Sequence, residues 1–280
     1  MTYRAFYGLT HNPFSKDIRV EDIYHSLDYK QFTARMEYFK ATRGFALVCG
    51  EPGCGKTTSI RAVTAKLNPQ LFKVAYLPLS SVTVTDFYRH LAVALGIEPR
   101  FRKVDIFHQI QECIANAHHQ KNIVTFVIID EAQFICNAIL NDLRLLLNFQ
   151  MDSKHYAMIL LAGQPLFLHQ LSLQINEPLR QRIAISYAFK GLSKDEIEPY
   201  ITSLLRTSGT TEPLFTPDGI CAIADFSSGL PRKVNNLAEK SLLVGYQKHT
   251  KSLDAEIVQI AQEELDVALG QKGAKYEQPY

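Results

Sequence analysis

The sequence predicts an α/β fold, a parallel sheet sandwiched by helices, followed by a small all-α domain. Three observations carry this expectation. Short apolar runs of strand type alternate with segments of helical spacing between residues 44 and 190, and repeated β-α alternation builds a parallel sheet. The stretch Gly50-Glu51-Pro52-Gly53-Cys54-Gly55-Lys56-Thr57 fits G-x-x-x-x-G-K-[ST] at every fixed position, with a strand-like run before it and a helical segment after it. Past Gly191 the strands stop and helix follows helix, which marks the second domain.

The bulk numbers narrow the class. With 280 residues and 46% apolar composition, the chain can fill one large core or two ordinary ones. A net charge of only +2 means that any nucleic-acid binding must come from a local basic patch. Cys49, Cys54, Cys113, Cys136 and Cys221 show no C-x-x-C spacing, and a disulfide in or beside the glycine loop would obstruct it, so a reducing compartment is expected. The N-terminus has no apolar signal core and no stretch approaches about 18 apolar residues. The expectation is a soluble, cytoplasmic protein without a membrane partner.

Residues 1–43 read as an arm and a helix packed on the core. Phe6-Tyr7-Gly8-Leu9 and Asn12-Pro13-Phe14 set aromatics around turn residues, and 29–41 carries Phe32, Met36 and Phe39 at helical spacing. The core, 44–190, opens with the run Gly44-Phe45-Ala46-Leu47-Val48-Cys49 as a strand, then the glycine loop, then a helix over 57–67 with Ile60, Val63 and Leu67 on one side. Gly50, Gly53 and Gly55 let the backbone curl so that successive N–H groups point inward, where the helix dipole adds its positive end. Such a loop binds phosphate. Lys56 would reach the β and γ phosphates, and the Thr57 hydroxyl would complete a Mg²⁺ shell. A strand over 72–77 and helices over 85–95 and 104–117 follow.

Thr125-Phe126-Val127-Ile128-Ile129-Asp130-Glu131 is an apolar strand ending in two carboxylates. Asp130 can hold Mg²⁺ through a water, and Glu131 can polarise an attacking water as general base. Guanine recognition usually needs an Asn-Lys-x-Asp signature. The nearest run, Arg102-Lys103-Val104-Asp105, has the wrong first residue, so ATP is expected over GTP. A helix over 139–148 leads to the strand Ala157-Met158-Ile159-Leu160-Leu161-Ala162, which ends at Gly163-Gln164. Gln164 is either a sensor beside the two acids or a strand-end turn residue. Arg180 and Arg182 precede a strand over 185–189. One of them could stabilise a neighbouring subunit's γ-phosphate in trans; the alternative is a solvated basic turn.

The helical domain, 191–269, opens on the capping-box pattern of Ser193 and Glu196, with a helix running to about residue 208. Thr216-Pro217 starts another helix. Gly229-Leu230-Pro231-Arg232 opens a third with Val234, Leu237, Ala238 and Leu242, so Arg232 lies on its first turn, where a cis phosphate sensor would suit a closing lid. A last helix, 254–269, precedes a polar tail, 270–280.

Taken in order, the phosphate loop, Asp130-Glu131, the sensor strand, the paired arginines and the Gly-Leu-Pro-Arg segment resemble an AAA+ ATPase. The match is closer still to the ExeA-like group. Phe6-Tyr7-Gly8-Leu9, Asn12-Pro13-Phe14, the loop through Thr58, Ile129-Asp130-Glu131-Ala132-Gln133, Leu161-Ala162-Gly163-Gln164-Pro165 and Leu179-Arg180-Gln181-Arg182-Ile183 carry that resemblance over about residues 3–265. The group contains secretion-pathway ATPases and transposition regulators of the TniB and TnsC kind. A chain with no membrane span that ends soon after its lid looks more like the regulators. The resemblance implies subunits that bind ATP and Mg²⁺ and assemble around duplex DNA in rings of roughly six or seven, or in helical filaments. It also implies a transposase partner, and possibly a target-selection protein. Carried over residue by residue, Gly50 to Thr58 and Asp130 bind the nucleotide, Arg182 is the better match for the trans arginine with Arg180 second, and Arg232 matches the lid sensor. Gln164 departs from the Asn or Thr that many AAA+ proteins carry, which leaves the timing of hydrolysis open.

In the related regulators the elements between the second strand and the acid strand face DNA. Here that region carries Arg89 and the cluster Arg100-Phe101-Arg102-Lys103. These side chains would neutralise phosphates and give salt-sensitive binding with little dependence on base sequence. The alternative is a solvated charged surface. His90, His108, His118 and His119 lack Cys or carboxylate partners at ligand spacing, so surface or helix-face positions suffice for them. A secretion or envelope ATPase and a non-hydrolysing nucleotide-gated scaffold are the rival readings. A metabolic kinase ranks last for want of any acceptor motif.

Overall fold

The computed structural model describes residues 2–78, 83–150 and 154–268; the tail expected at 270–280 lies outside them. In chain order the helices are α1 (Tyr3–Phe6), α2 (Leu27–Thr42), α3 (Lys56–Ala65), α4 (Val84–Ala94), α5 (Lys103–Lys121), α6 (Asn137–Leu146), α7 (Pro165–Ser172), α8 (Glu177–Arg180), α9 (Lys194–Thr207), α10 (Pro217–Ser227), α11 (Pro231–Gln247) and α12 (Ala255–Ala268). The strands are β1 (Gly44–Gly50), β2 (Phe72–Pro78), β3 (Val124–Asp130), β4 (Ala157–Gly163) and β5 (Ile183–Phe189). These elements fall into two compact units.

The α/β unit takes Tyr29–Pro52 and Lys56–Phe189. Its strands are all parallel, in the order β2-β3-β4-β1-β5. Burial explains why the sequence announces them so clearly. β1, β3 and β4 lie inside the sheet and are buried along their whole length, so they read as unbroken apolar runs, whereas the edge strands β2 and β5 carry exposed positions.

Side chains alternate between the two faces. Phe45, Val127 and Ile159 stand side by side in register, as do Leu47, Ile129 and Leu161. That face shares a buried core with Leu91 of α4, Ile106, Ile110 and Ile114 of α5, and Ile139, Leu140 and Leu143 of α6. On the opposite face Phe39 of α2 meets Phe126 edge-on with ring centroids 6.4 Å apart, and Phe32 lies 5.5 Å from Phe189. The connection after β1 leads to the far edge, at β2, while the connection after β4 returns past β1 to β5. The chain therefore diverges at the carboxyl ends of the central strands, where open α/β sheets bind ligands.

Helices α7 and α8 go beyond what the sequence predicts. α7 has eight residues and buries only Phe167 and Leu171, and α8 is a single turn, so neither gives a periodic apolar signal.

The helical unit takes Met1–Asp28, Gly53–Gly55 and Lys190–Tyr280, in their described part. One core joins Ile197, Ile201 and Leu204 of α9, Ile223 of α10, Val234, Leu237 and Leu242 of α11, and Ile257 and Val258 of α12. The capping box is present: the Ser193 backbone N–H donates to Glu196 Oε2 at 3.0 Å. Residues 1–28 belong to this unit. Tyr7, Leu9 and Phe14 lie in this helical core, and the Tyr7 hydroxyl donates to the Thr250 carbonyl at 3.0 Å. Aromatics around turns announce that the arm packs, but not on what. Asp28, 5% exposed, accepts the backbone N–H groups of Lys190 and Gly191, each at 2.8 Å. Within this unit the Arg232 N–H donates to the Gly53 carbonyl at 3.2 Å.

Candidate active site

β1 ends at Gly50 and α3 begins at Lys56, so the intervening turn must reverse from extended to helical backbone within five residues. Gly53 and Gly55 make this possible by adopting φ of +83° and +101°, where a side chain would be strained. Lys56 starts the helix and is 7% exposed. Its ammonium donates to the carbonyl oxygens of Gly50 at 2.6 Å and Glu51 at 3.1 Å, folded back over the turn that it would leave to meet phosphate.

At the end of β3, the acids separate. Asp130 is 4% exposed, and its Oδ2 accepts the Thr57 hydroxyl at 2.8 Å and the Tyr76 hydroxyl at 3.0 Å. Its Oδ1 accepts the Glu131 N–H at 2.9 Å. A hydroxyl and a carboxylate oxygen in contact are the hard donors that Mg²⁺ takes in phosphate-loop sites, so these residues fit a Mg²⁺-bound nucleotide. Burial, then the charge of Asp130 and the bond to it, then the charge of Glu131, push the Tyr76 hydroxyl far above the usual tyrosine range, so it stays a donor.

Glu131 points elsewhere. Its backbone is left-handed, at φ 56° and ψ 42°, an uncommon conformation for a residue with a side chain and one found often at functional sites. Its Oε2 accepts the side-chain amides of Gln133 at 2.5 Å and Gln164 at 3.3 Å. Lys56, Thr57, Asp130, Glu131 and Gln164 are all legible in the sequence, and the fold brings them together at the strand ends. Tyr76 and Gln133 are site residues that the sequence reading misses. Tyr76 stands on an edge strand with no motif around it. Gln133 lies only two residues past Glu131, but nothing local marks its amide as turning back to that carboxylate.

The paired arginines lie at the other end of the sheet. Ile183 starts β5 beside Phe45, whereas the glycine loop follows Gly50 at the far end of β1. Arg182 is thus roughly 20 Å from its own loop, beyond side-chain reach. It is half-buried, donates to the Arg144 carbonyl at 3.2 Å and lines a cleft of about 350 Å³ with Arg43, Leu147 and His155. Arg180 is exposed and donates to the Ser172 carbonyl at 3.1 Å.

The basic cluster divides. Lys103 pairs with Asp142 at 2.5 Å and lies 5.5 Å over the Tyr88 ring, so it is committed to its own unit. Arg89 pairs with Asp86 at 3.4 Å. Arg100 and Arg102 are exposed, with Phe101 between them 87% exposed. His118 stacks on Tyr156 at 4.5 Å between ring centroids and His119 meets the same ring edge-on at 4.9 Å. Burial first, then the charges of Arg43, His119 and Lys154, lower the His118 pKa. No disulfide joins any of the five cysteines. Among the described residues no helix is long and apolar enough to cross a membrane.

Comparison with known proteins places this geometry. The AAA domain family matches residues 40–171. General secretion pathway protein A of Aeromonas hydrophila is 30% identical over 250 residues, which are 88% of this chain and 45% of that protein. The chain thus spans less than half the length of that curated relative. Among solved structures, Cdc6p from Pyrobaculum aerophilum superimposes with a TM-score of 0.69 at 15% identity, covering 90% of this chain and 70% of that one. The Aeropyrum pernix ORC1 protein, in complex with DNA, gives 0.67 at 14% identity, covering 91% and 69%. Residues 40–171 of this chain match the AAA domain family, and the parallel sheet with its flanking helices is a P-loop fold of the AAA+ type.

Proposed function

We propose that this chain is an ATP-dependent, oligomeric DNA-binding regulator of transposition, which assembles on target duplex DNA in its ATP state and leaves on hydrolysis. The observation that carries the hydrolytic part is the separation of the two acids. Asp130 faces the Thr57 hydroxyl, while Glu131 is held by two neutral amides. That separation supports one carboxylate holding a metal while the other takes the proton of the water that attacks the γ-phosphorus. Mg²⁺, when bound, neutralises phosphate charge. Lys56 orients the β and γ phosphates, and Gln164 keeps the base in place.

The distance of Arg182 from its own loop supports an arginine acting in trans. Arg182 is the proposed trans arginine, with the more exposed Arg180 as its alternative. Arg232, on the first turn of α11, is the proposed lid sensor. ATP favours an assembled state only by binding it more tightly than the free subunit, and an arginine present only at a subunit junction supplies that difference. Exposed Arg100, Phe101 and Arg102 support contact with duplex DNA, and half-buried Arg89 is proposed with them. The Aeropyrum pernix ORC1 protein, which shares the fold, is in complex with DNA, and this adds support. The transposase partner rests on the order of motifs. A second reading is favoured by the 30% identity with General secretion pathway protein A: the same ATPase would then act on a protein partner in secretion.

The two readings separate when the mass of the purified protein is measured on random duplex DNA with a slowly hydrolysed ATP analogue, with ADP, and over a salt series. Analogue-dependent, salt-sensitive assemblies are expected. A protein that ignores DNA in every nucleotide state would refute the DNA reading and leave the secretion reading.

A further inference from the structure

We infer that Gln133 is a positioning residue that tethers the base Glu131 to the end of β4. The inference rests on Glu131 being the base. Gln133 Nε2 donates to Glu131 Oε2 at 2.5 Å, and Gln133 Oε1 accepts the backbone N–H of Gln164 at 3.1 Å. Gln164 Nε2 closes the circuit by donating to the same Glu131 Oε2 at 3.3 Å. Only one orientation of the Gln133 amide satisfies this circuit. Turned over, it would set oxygen against a carboxylate and NH₂ against an N–H.

The surroundings are built for it. Left-handed Glu131 turns the chain into the 3-10 turn Ala132–Phe134, where the Phe134 N–H donates to the Glu131 carbonyl at 3.1 Å and Ala132 is buried. Downstream, the Gln170 amide of α7 donates to the Ile135 carbonyl at 2.5 Å and to Asn137 Oδ1 at 3.2 Å, which pins the end of the turn. On β4, a Cβ on Gly163 would lie 3.3 Å from Gln133 Oε1 and 3.1 Å from Phe167 Cβ, so the glycine leaves the amide its seat. Gln164 alone meets Glu131 at the longer distance. Gln133 therefore makes the shorter bond to the base and fixes the residue that makes the longer one.

The test uses Gln133→Met, which keeps length and volume but neither donates nor accepts there. Turnover of Mg²⁺-ATP should fall by roughly ten- to a hundredfold at unchanged KM and unchanged nucleotide affinity, because orientation of the base is lost while binding is not. Added to Glu131→Gln, it should change turnover less than about twofold, since the two act as one unit. Hydrogen exchange at the Gln164 backbone N–H should accelerate at least roughly tenfold in Gln133→Met, a readout that needs no catalysis. A Gln133→Met protein with full turnover, or with Gln164 exchange unchanged, overturns the tether. If the wild-type protein hydrolyses no ATP, the proposed function falls, and the exchange result alone decides the tether.

Discussion

The Thr57 hydroxyl and the Asp130 carboxylate meet at 2.8 Å across a separation of 73 residues. The first residue lies on the opening turn of α3 and the second at the last position of β3, and the strand order sets those two ends side by side. A threonine after the loop lysine and an aspartate at a strand end are unremarkable singly, but in contact they form an oxygen pair suited to Mg²⁺. Asp130→Asn should therefore raise the Mg²⁺ concentration for half-maximal ATP turnover by at least roughly tenfold while the fold is kept. Titration of turnover with Mg²⁺ checks this, and an unchanged midpoint would remove Asp130 from the metal site.

Lys56 is expected to act at two levels. Its ammonium now bonds two loop carbonyls, and in the ATP state it would serve the phosphates. Lys56→Ala should lose ATP binding and DNA assembly together, seen in nucleotide titration and in sedimentation on duplex DNA. Normal assembly in this variant would refute nucleotide-gated binding.

Arg100 and Arg102 are expected to pair with phosphate without reading bases. Replacing both by glutamine should weaken duplex binding equally across sequences. It should also lower the slope of log affinity against log salt by about 0.9 for each phosphate that is no longer neutralised. A preserved slope in the double variant would assign the cluster to solvent.

The helical unit should soften in alkali. Burial pushes the hydroxyls of Tyr7 and Tyr200 up to about 12 from an ordinary 10.0, and each donates within the unit, to the Thr250 carbonyl and to Asn235 Oδ1. The protonated form is the native one. The stability contributed is intact below about pH 10, where the unfolded tyrosines are also protonated, and is lost as pH rises through about 12. Tyr7→Phe with Tyr200→Phe should be less stable at neutral pH but flatter between about pH 10 and 12 in denaturant melts. An unchanged slope would place the alkaline loss elsewhere.

The glycine loop, the three buried strands and the acids are legible in the sequence because each is local: a spacing, an unbroken apolar run, a charge at its end. Which residues hold the acids is not. Tyr76 reaches Asp130 from an edge strand, and Gln133, on the turn after β3, reaches Gln164 after β4; both depend on strand order, which no local pattern encodes. The packing of the arm is likewise non-local. Tyr7, Leu9 and Phe14 advertise burial, but their core is assembled from α9 to α12, in the last third of the chain. Lys103 looks like part of a basic surface run, and the aspartate that claims it lies on α6.

The proposed function assigns the base to Glu131, and comparing wild type with Glu131→Gln in Mg²⁺-ATP turnover and in nucleotide affinity tests this without an intermediary. Turnover should fall by at least roughly a hundredfold with affinity nearly unchanged, and assemblies on DNA should outlive those of the wild type. Rapid turnover by Glu131→Gln would contradict the assignment.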